Sequence, residues 1–513
     1  MSHEETLMSV AIAAPTLGSV LLIPLGILSA RVRNVAAFVL ILAAFVCSVA
    51  LVPAVFGGEV VHIRVYMPLG LDLSLTADKL AVFMAMVSSL ISAIIVIYSW
   101  DYISHYANSN EYYFLVTLFL GAMMGLVYAS NLILLYVFWE ITAITSWRLI
   151  GFFREDFQVY RANKSFLVTV FGALAMLIGF VMLATDCASR SATHQLSFDL
   201  ADLKNTLGMT PISGGATCLI LLGILSKSAT LPFHTWLPDA GVAPSPVTSL
   251  LHAAVLVKIG VYVYARLFIA TFALAANWQH AVMVIAAVSA LVSACAALVE
   301  TDLKRIIAYS TVSQIAFIFL GLASGTEIGI AGGLLYILMH GLAKGGLFLC
   351  AGIVEQNTHT KDIMKLGGLI KTMPFTAIAF LLCALSVMGI PPFGGFFSKM
   401  MVITGAVQAP EGGIWMAGTF VVGAVMTILY LIRVFNKVFL GDPGVEPVKE
   451  GSPVMVGCVW ALAVLGLIAG VYVNPSMQMA QGAMEQMKPD GPRVFRLESV
   501  VRDRAELMAG VVK

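Results

Sequence analysis

Long stretches of apolar residues recur along the whole chain, separated by shorter polar connections. An apolar stretch of about 20 residues is long enough to cross a bilayer as a helix. The pattern therefore predicts an all-α polytopic membrane protein with about fourteen transmembrane helices. The predicted spans lie approximately at 8–30, 35–56, 79–100, 112–129, 131–150, 165–185, 214–233, 245–268, 279–299, 304–324, 328–354, 374–405, 413–440 and 453–473.

Prolines interrupt two of these spans. The first contains Lys227 and breaks at Pro232, and the second breaks at Pro391 and Pro392 between glycines. Proline lacks an N–H, so a carbonyl one turn earlier loses its helical partner. Within a bilayer such a carbonyl must be satisfied by protein, water or an ion. Paired broken spans in two halves of a chain are typical of inverted-repeat transporters, and the short similarity of LPF to PPF is consistent with such a repeat.

Longer polar connections are predicted at 57–78, 186–212 and 355–372, with a tail at 474–513. Lysine and arginine in short connections mark the cytoplasmic side of a membrane protein. Most of them fall on one side, and few on the other (Arg64, Lys79, Arg190 and Lys204). Both termini are therefore predicted to lie outside, in the periplasm, with the chain in the cell (inner) membrane. The basic residues of the tail favour the opposite orientation.

Composition narrows the function classes. The chain is 60% hydrophobic and 11% charged, and its net charge of +1 gives no reason to expect nucleic acid as a partner. No two of the seven cysteines have CxxC spacing, and neither a P-loop nor a dinucleotide-binding glycine motif is present. No cofactor or metal is therefore expected on this chain. Redox chemistry or ATP hydrolysis that drives the protein would have to reside on a partner.

Several titratable residues lie inside the predicted spans. Charged side chains at membrane depth are costly and usually serve an ion or proton pathway. Burial lowers the pKa of a lysine and raises that of a glutamate, whereas a nearby opposite charge counteracts both shifts. Histidine titrates close to neutral pH and can relay protons. The candidate proton pathway consists of Glu140, Lys227, His252, Lys258, His340, Lys344 and Lys399.

Spacing indicates how these residues cooperate. His340 and Lys344 are four residues apart and should share one helix face. His252 and Lys258 are six apart, so only water or a bend could connect them. A pair between Glu140 and Lys227 would hold the lysine charged until the glutamate moves away. Glycines beside Lys344 and Lys399 leave room for another helix or for water.

Structural roles are the alternatives. An intramembrane lysine can reach an interface or form a structural ion pair, and Glu140 can serve only as a structural partner. His252 and His340 can be packing residues, whereas metal binding by them lacks a supporting ligand cluster. His234 and Asp239, just beyond the first break, are expected to be cap or loop residues.

The stretch 226–262 resembles the signature region of the antiporter-like subunits shared by respiratory complex I, Mrp-type cation/proton antiporters and membrane-bound hydrogenases. It reads SKSATLPFHTWLPDAGVAPSPVTSLLHAAVLVKIGVY. Further motifs are matched by FWEITAITSWRLIGFF (138–153), DLKRIIAYSTVSQIAFIFLG (302–321), MHGLAKGGLFLCAG (339–352) and GIPPFGGFFSKM (389–400). The resemblance runs from about 80 to about 440 in the order of the family.

This resemblance implies two inverted five-helix repeats, helices 4–8 and 9–13, with helices 7 and 12 broken. The implied division is 1–111 for helices 1–3, 112–275 and 276–440 for the repeats, and 441–513 for helix 14 and the tail.

The resemblance also implies roles for individual residues. Glu140 would be the glutamate of helix 5 and Lys227 its partner in helix 7. Lys258 and Lys344 would be the lysines of helices 8 and 11, and Lys399 the exit residue of helix 12. Lysine at the last place, together with His252 in helix 8, is closest to Mrp D-type subunits. Arg148 departs from the family, and it would weaken the proposed switch if it reached Glu140.

The expected function is that of a proton-translocating subunit in a redox-driven membrane complex, similar to NADH:quinone oxidoreductase or an energy-converting hydrogenase. Its expected partners are further membrane subunits and peripheral redox subunits that carry iron–sulfur, flavin or nickel–iron centres. Proton movement against 100 mV costs about 2.3 kcal/mol per charge, and no group on this chain supplies it. The alternative is a subunit of a multi-subunit Mrp-type Na⁺/H⁺ antiporter without a redox arm. A structural membrane anchor and a transporter of small organic substrates are further alternatives.

Overall fold

The computed structural model describes residues 1–68, 71–191, 194–208, 211–410 and 412–488. Basic residues of the tail beyond 488, which bear on the predicted orientation, lie outside the described residues. The α-helices are α1 (His3–Leu28), α2 (Ala30–Ala50), α3 (Val52–Phe56), α4 (Lys79–Tyr102), α5 (Ser109–Tyr128), α6 (Leu132–Ile150), α7 (Asp156–Arg190), α8 (Leu200–Leu207), α9 (Gly214–Lys227), α10 (Trp236–Asp239), α11 (Ser245–Ser249), α12 (Leu256–Ala265), α13 (Ala276–Val299), α14 (Leu303–Ala323), α15 (Glu327–Thr358), α16 (Pro374–Met388), α17 (Gly394–Val407), α18 (Gly413–Val438), α19 (Pro453–Val471) and α20 (Val473–Met487).

The predicted number of spans is confirmed. Within the described residues, 12 helical segments are long and apolar enough to cross a membrane. One of them, Ser245–Thr271, combines α11 and α12 with π-helical turns at Leu250–Ala254 and Arg266–Thr271. Two further spans are broken, one after α9 and one between α16 and α17. With these two, the described part of the chain has the fourteen spans expected.

The two breaks have the same backbone geometry. Ala229 and Gly389 both adopt a left-handed conformation, with φ of 52° and 83°. After the first break the N–H of Thr230 donates to the carbonyl of Leu225 at 3.1 Å, and the N–H of Ile390 makes the equivalent bond to Leu385 at 3.1 Å. Both segments then continue through proline and phenylalanine. The weak LPF–PPF similarity therefore reflects two equivalent structures.

Short strand-like bridges show the inversion of the repeats. Asn131 caps the start of α6 and pairs with Asp199, while Asp302 caps the start of α14 and pairs with Asp362. Helix α14 comes five spans after α6, so the two helices cross the membrane in opposite directions. Hence the two bridges lie on opposite faces of the molecule. The predicted division at 111, 275 and 440 stays a prediction.

Two connections contain structure that the apolar pattern did not predict. Residues 57–78 include a two-stranded antiparallel hairpin, β1 (Val61–Val65) and β2 (Leu73–Ala77). The tail begins with α20, which packs against α4 and α15. Lys488 at its end donates to the carbonyl of Gly325 at 2.7 Å. We call the side of the molecule that carries the hairpin, α8 and α20 the hairpin face.

Burial is uneven across the bundle. Of the 18-residue apolar segment in each of α14 and α15, 94% of the residues are buried, against 28% in α1 and 33% in α18. The exposed residues of α1 and α18 are mostly apolar, as expected of surfaces that contact lipid or other membrane subunits. The titratable residues of the interior thus lie in the most protected part of the fold.

Candidate functional site

Lys227 is the last residue of α9, immediately before the first break, and is completely buried. Its ammonium donates to the carbonyl of Trp139 at 3.2 Å and lies 5.3 Å from the centre of the indole ring. The break itself is held by protein groups, since the indole N–H of Trp236 donates to the Ser226 carbonyl at 3.0 Å. A lysine is thereby held at membrane depth beside irregular backbone, as predicted.

Glu140 is adjacent to Trp139 and therefore close to Lys227, but the two do not form a direct ion pair within the described residues. Glu140 is only partly buried, and its Oε1 has no hydrogen-bond partner. It lies on the same side of α6 as Val137 and Ile144, which are 47% and 50% exposed. Glu140 thus faces both the lysine and the lateral surface of the chain.

Arg148 does not compete with Lys227 for Glu140. Its guanidinium forms an ion pair with Glu111 at the start of α5. Arg154 binds the other oxygen of the same carboxylate at 2.5 Å. The departure at Arg148 therefore leaves the neighbourhood of Glu140 unchanged, because the arginine is bound to a different carboxylate.

His252 and Lys258 are separated by the required bend. His252 lies in the π-helical turn Leu250–Ala254, and Val255 has irregular dihedral angles before α12 begins. Both residues are 0% exposed. The ammonium of Lys258 donates to the Ala253 carbonyl, whereas neither ring nitrogen of His252 has a hydrogen-bond partner within the described residues. The imidazole packs on Phe348 with 4.4 Å between ring centres.

Gly341 provides the space for Lys258. A Cβ atom at this position would fall 2.4 Å from the lysine Nζ. The missing side chain therefore admits the ammonium against α15, next to His340. Among the glycines predicted to leave space, Gly341 is the one in the described structure that lets two candidate residues from different helices, Lys258 and His340, lie close together.

His340 and Lys344 share one face of α15, as predicted, and both are buried. Lys344 donates to the hydroxyl of Ser310 and, at 3.2 Å, to the carbonyl of Ile307. Both ring nitrogens of His340 lack hydrogen-bond partners within the described residues. His340 also lies next to Gly341, against which the Lys258 ammonium packs, so the imidazole is close to a lysine of a neighbouring helix.

Lys399 lies in α17, beyond the second break. Its ammonium reaches back across the break to the Val387 carbonyl at 2.6 Å. The ring centre of Phe317 lies 4.9 Å from Nζ and that of Tyr336 lies 5.9 Å away. Aromatic faces stabilise a desolvated cation by about 2 kcal/mol. Lys399 therefore ends the row of buried lysines with no carboxylate partner within the described residues.

A hydrogen-bonded chain that begins at Lys344 and ends at Tyr336, whose ring centre lies 5.9 Å from Lys399 Nζ, was missed by the sequence reasoning. Ser310 is 2.6 Å from the hydroxyl of Tyr430, and Gln314 donates to that hydroxyl at 3.5 Å. Tyr336 in turn donates to Gln314 Oε1 at 2.6 Å. Ser310 and Gln314 are four residues apart in α14 and so lie on one side of this membrane-spanning helix, and this spacing was the available signal.

Asp239 and His234 follow the first break. Asp239 accepts from Lys164 and Arg305, both at 2.7 Å, and so joins α7 to α14. It stands at the cap position of the 3₁₀ turn Ala240–Val242 in the connection after the break, but its side chain makes ion pairs and no cap hydrogen bond. His234 lies in a 3₁₀ turn, and its Nδ1 is buried without a partner.

Comparison with known proteins identifies the family. The model of the family "NADH:quinone oxidoreductase/Mrp antiporter, TM" matches residues 129–427, and that of "NADH-Ubiquinone oxidoreductase (complex I), chain 5 N-terminus" matches residues 66–113. The chain belongs to the NADH:quinone oxidoreductase/Mrp antiporter family. The first match includes all seven candidate residues of the proton pathway.

Curated members of this family resemble the chain over most of its length. The chain is 34% identical over 443 residues to the A1 subunit of the Na(+)/H(+) antiporter from Staphylococcus haemolyticus, covering 81% of the chain and 54% of the relative. It is 36% identical over 461 residues to the corresponding A-type Na(+)/H(+) antiporter protein of Alkalihalophilus pseudofirmus, covering 82% and 56%. The chain thus spans about half the length of these relatives. Both relatives are of the A type, whereas the residue pattern favoured the D type.

Solved structures share the fold. A chain of the Mrp complex from Dietzia sp. DQ12-45-1b superposes with a TM-score of 0.86 at 24% identity, covering 96% of this chain and 98% of that one. A chain of an archaeal membrane-bound sulfane sulfur reductase gives 0.84 at 24% identity, with coverage of 94% and 97%. Respiratory complex I from Thermus thermophilus gives 0.79 at 22%, with 94% and 99%. The chain therefore has the fold of the antiporter-like subunits.

Proposed function

We propose that this antiporter-like chain carries protons as a subunit of a multi-subunit Na⁺/H⁺ antiporter of the Mrp type. The names of the curated relatives favour this assignment over a redox-driven complex. Its expected partners are other membrane subunits. A redox-driven parent complex, with iron–sulfur, flavin or nickel–iron centres on peripheral subunits, stays a prediction.

One observation carries the proposal. Four lysines, Lys227, Lys258, Lys344 and Lys399, are at most 4% exposed. Each donates to a backbone carbonyl or a hydroxyl, and none forms an ion pair within the described residues. An uncompensated ammonium at such depth is strongly disfavoured, so these groups are poised to lose and regain protons. A purely structural lysine would instead be paired or would reach an interface.

The order of the residues supports transfer from the first repeat to the second. Lys227 lies beside Glu140, and a carboxylate nearby favours the charged lysine. When a change in a neighbouring subunit draws Glu140 away, Lys227 releases its proton towards Lys258 and His340. His340 accepts on a ring nitrogen that is free in the resting geometry. Lys344 then passes the proton on towards Lys399, past Ser310, Tyr430 and Tyr336, and Lys399 exchanges with one side of the membrane.

The test uses the assembled complex in sealed vesicles. Replacing Lys227, Lys258, Lys344 or Lys399 singly by methionine removes the titratable group but keeps the length of the side chain. We expect Na⁺-driven proton movement, followed with a pH-sensitive dye, to fall by roughly tenfold or more in each variant, because a relay is interrupted by any missing member.

Lys437→Met is the matched control, since Lys437 is exposed at the end of α18. It should transport as the unmodified complex does. Normal transport in all four buried variants would refute the proposal and favour a structural membrane anchor. Purification of the native complex separates the two parent assemblies: small membrane subunits alone fit the antiporter, whereas co-purified redox proteins fit the redox-driven complex.

A further inference from the structure

A cavity of about 460 Å³ opens on the hairpin face. Its walls come from the hairpin, from the start of α8 and from α20, and they carry His62, Arg64, Thr76, Asp199 and Gln486. The cavity is large enough for several waters, and these polar side chains, set among apolar ones that form most of the lining, can supply the two to four partners that an ordered water needs. The described structure thus has a recess, wide enough for water, that leads from this face into the bundle.

A buried ion pair forms the floor of the recess. Arg266, at the end of α12, binds both carboxylate oxygens of Asp78, the residue that caps α4. The two side chains are 10% and 14% exposed, so the recess reaches them but does not pass beyond them. A two-point arginine–carboxylate contact is among the strongest polar contacts in proteins. The pair therefore closes the inner end of the recess.

A row of polar side chains continues inward from this pair. Arg266 Nε donates to the hydroxyl of Tyr262 at 3.0 Å, and that hydroxyl donates to the Val127 carbonyl at 2.5 Å. Lys258, Tyr262 and Arg266 are spaced four residues apart, so they follow one side of the helix at about 6 Å per step. The flexible stem of a lysine spans about one such step. The Lys258 ammonium donates to the Ala253 carbonyl in this geometry, and rotation of its side chain alone would bring it to Tyr262.

We propose that the recess is an aqueous entrance to the proton pathway from the hairpin face, closed by Asp78–Arg266 and joined to Lys258 through Tyr262. This proposal rests on the proton-carrying function proposed above. It adds a second point of access, in the first repeat, to the exchange at Lys399. Opening requires only that the guanidinium leave the carboxylate, which allows water to reach the tyrosine hydroxyl.

The geometry is tested by the accessibility of single cysteines to a membrane-impermeant, cationic methanethiosulfonate reagent. The seven natural cysteines are first replaced by serine or alanine in the assembled complex. Thr76→Cys probes the recess, and Tyr262→Cys probes the space behind the ion pair. We expect rapid labelling of the first from the hairpin face and labelling of the second at least tenfold slower. Adding Asp78→Asn or Arg266→Gln to Tyr262→Cys should raise its labelling rate close to that of Thr76→Cys.

Lys204→Gln is the control for Asp78→Asn and Arg266→Gln, because it also removes one charge at the recess but leaves the ion pair intact. Lys204 lies at the rim of the recess and donates to the Ala270 carbonyl at 2.8 Å. It should leave Tyr262→Cys protected. An unreactive Thr76→Cys would mean that the recess is closed to water. Two results would show that the ion pair does not close a path: rapid labelling of Tyr262→Cys with the ion pair intact, or continued protection of Tyr262→Cys after Asp78→Asn or Arg266→Gln. Each of these three results overturns the proposal.

Accessibility is independent of transport. The labelling pattern should be the same when Lys227→Met is added, so a complex that fails to move protons still tests the entrance. Transport supplies a second arm. Tyr262→Phe, which keeps the ring and removes the hydroxyl, should slow proton movement several-fold, whereas Lys437→Met should not. Unchanged transport in Tyr262→Phe, together with the expected labelling, would overturn the connection to Lys258.

Discussion

The two inverted repeats share their breaks but distribute charge differently around them. In the first repeat the lysine precedes the break, at Lys227, and a carboxylate lies beside it at Glu140. In the second the lysine follows the break, at Lys399, and α14 has Thr311 at the place that Glu140 occupies in α6. Lys399 nevertheless reaches back to the Val387 carbonyl on the far side of its break. Both repeats therefore hold an ammonium at the same irregular segment, but only the first has an anion there.

This difference gives the pair of repeats a direction. The lysine with an anion nearby keeps its proton more firmly, and its partner faces the lateral surface, where a neighbouring protein of the complex can act on it. The lysine without an anion is held by carbonyl and aromatic groups, and neutral polar side chains lie between it and Lys344. Under the proposed function, the first repeat would control the release of a proton and the second would conduct it.

The largest effect is expected from removing the anion. Glu140→Gln keeps the shape of the side chain and should reduce Na⁺-driven proton movement by roughly tenfold or more, because an opposite charge a few ångströms away contributes about 1–4 kcal/mol. Thr311→Val, at the equivalent place in the second repeat, should transport almost normally. Initial rates of dye quenching in vesicles measure both. Equal losses in the two variants would contradict the asymmetry.

The next largest effect should come from the hydroxyl chain of the second repeat. Tyr430→Phe removes the group that joins Ser310 to Gln314. A hydrogen bond contributes about 1 kcal/mol, so we expect a reduction of about fivefold in proton movement with little change in the folded fraction. Phe420→Tyr on the same helix, which adds a hydroxyl outside the chain, should not compensate when combined with it. Normal rates in Tyr430→Phe would remove this chain from the pathway.

The two breaks should respond differently to exchange of their left-handed residues. Gly389→Ala places a side chain in a left-handed conformation that costs about 1–2 kcal/mol, and its Cβ would lie 3.1 Å from Lys399 Cδ. Ala229→Gly relieves the same cost in the folded state. It also raises the conformational entropy of the unfolded chain, which lowers the free energy of unfolding by about 0.5–1 kcal/mol, so the net effect should be nearly neutral. Thermal unfolding of the purified complex compares them. A stabilised Gly389→Ala would disprove the equivalence of the breaks.

Arg148→Ala should have a small effect. The arginine is 37% exposed and binds Glu111, so its loss should cost no more than about 0.5 kcal/mol, and transport should persist. A strong loss of transport, comparable to that of Glu140→Gln, would mean that the arginine does act on the first break during the cycle. Arg154→Ala, at the same carboxylate, is the control.

Acid should loosen the hairpin face before it affects the breaks. Hydrogen bonds from the Met67 N–H and Arg64 lower the pKa of Asp72, and the Arg64 bond lowers the pKa of Asp202. Because the pKa values are depressed in the folded state, this stabilisation is present above the unfolded value of about 4 and is lost as the pH falls from there through the lower folded values. The protection of β1 and β2 against hydrogen exchange, corrected for the intrinsic rate at each pH, should therefore fall below about pH 4, and Arg64→Gln should reduce this pH dependence.

Much of the fold followed from the sequence because apolar spans and prolines leave a direct signal. Pro232 and Pro392 located both breaks, and of the two links considered for His252 and Lys258, water or a bend, the π-helical turn provides the bend. The hairpin was missed because VHIRV and LSLTA are short and lie in a polar connection. Helix α20 was missed because it is too polar to resemble a span, and its position depends on contacts with α4 and α15.

The candidate site was predictable for the charged residues and not for the neutral ones. A lysine in an apolar span is conspicuous, whereas Tyr336 and Tyr430 resemble ordinary packing residues until three helices bring their hydroxyls together. Whether Glu140 touches Lys227 depends on side-chain placement that spacing does not determine. The same holds for Arg148, whose partner Glu111 lies in a different helix.

The position of Lys258 depends on a residue that has no functional group. An alanine at 341 would occupy the volume in which the ammonium lies and would require the lysine side chain to move. The absence of one methyl group thus leaves the space that the cation occupies in this geometry. A search that ranks positions by their titratable side chains passes over Gly341, although this residue determines where the Lys258 ammonium lies.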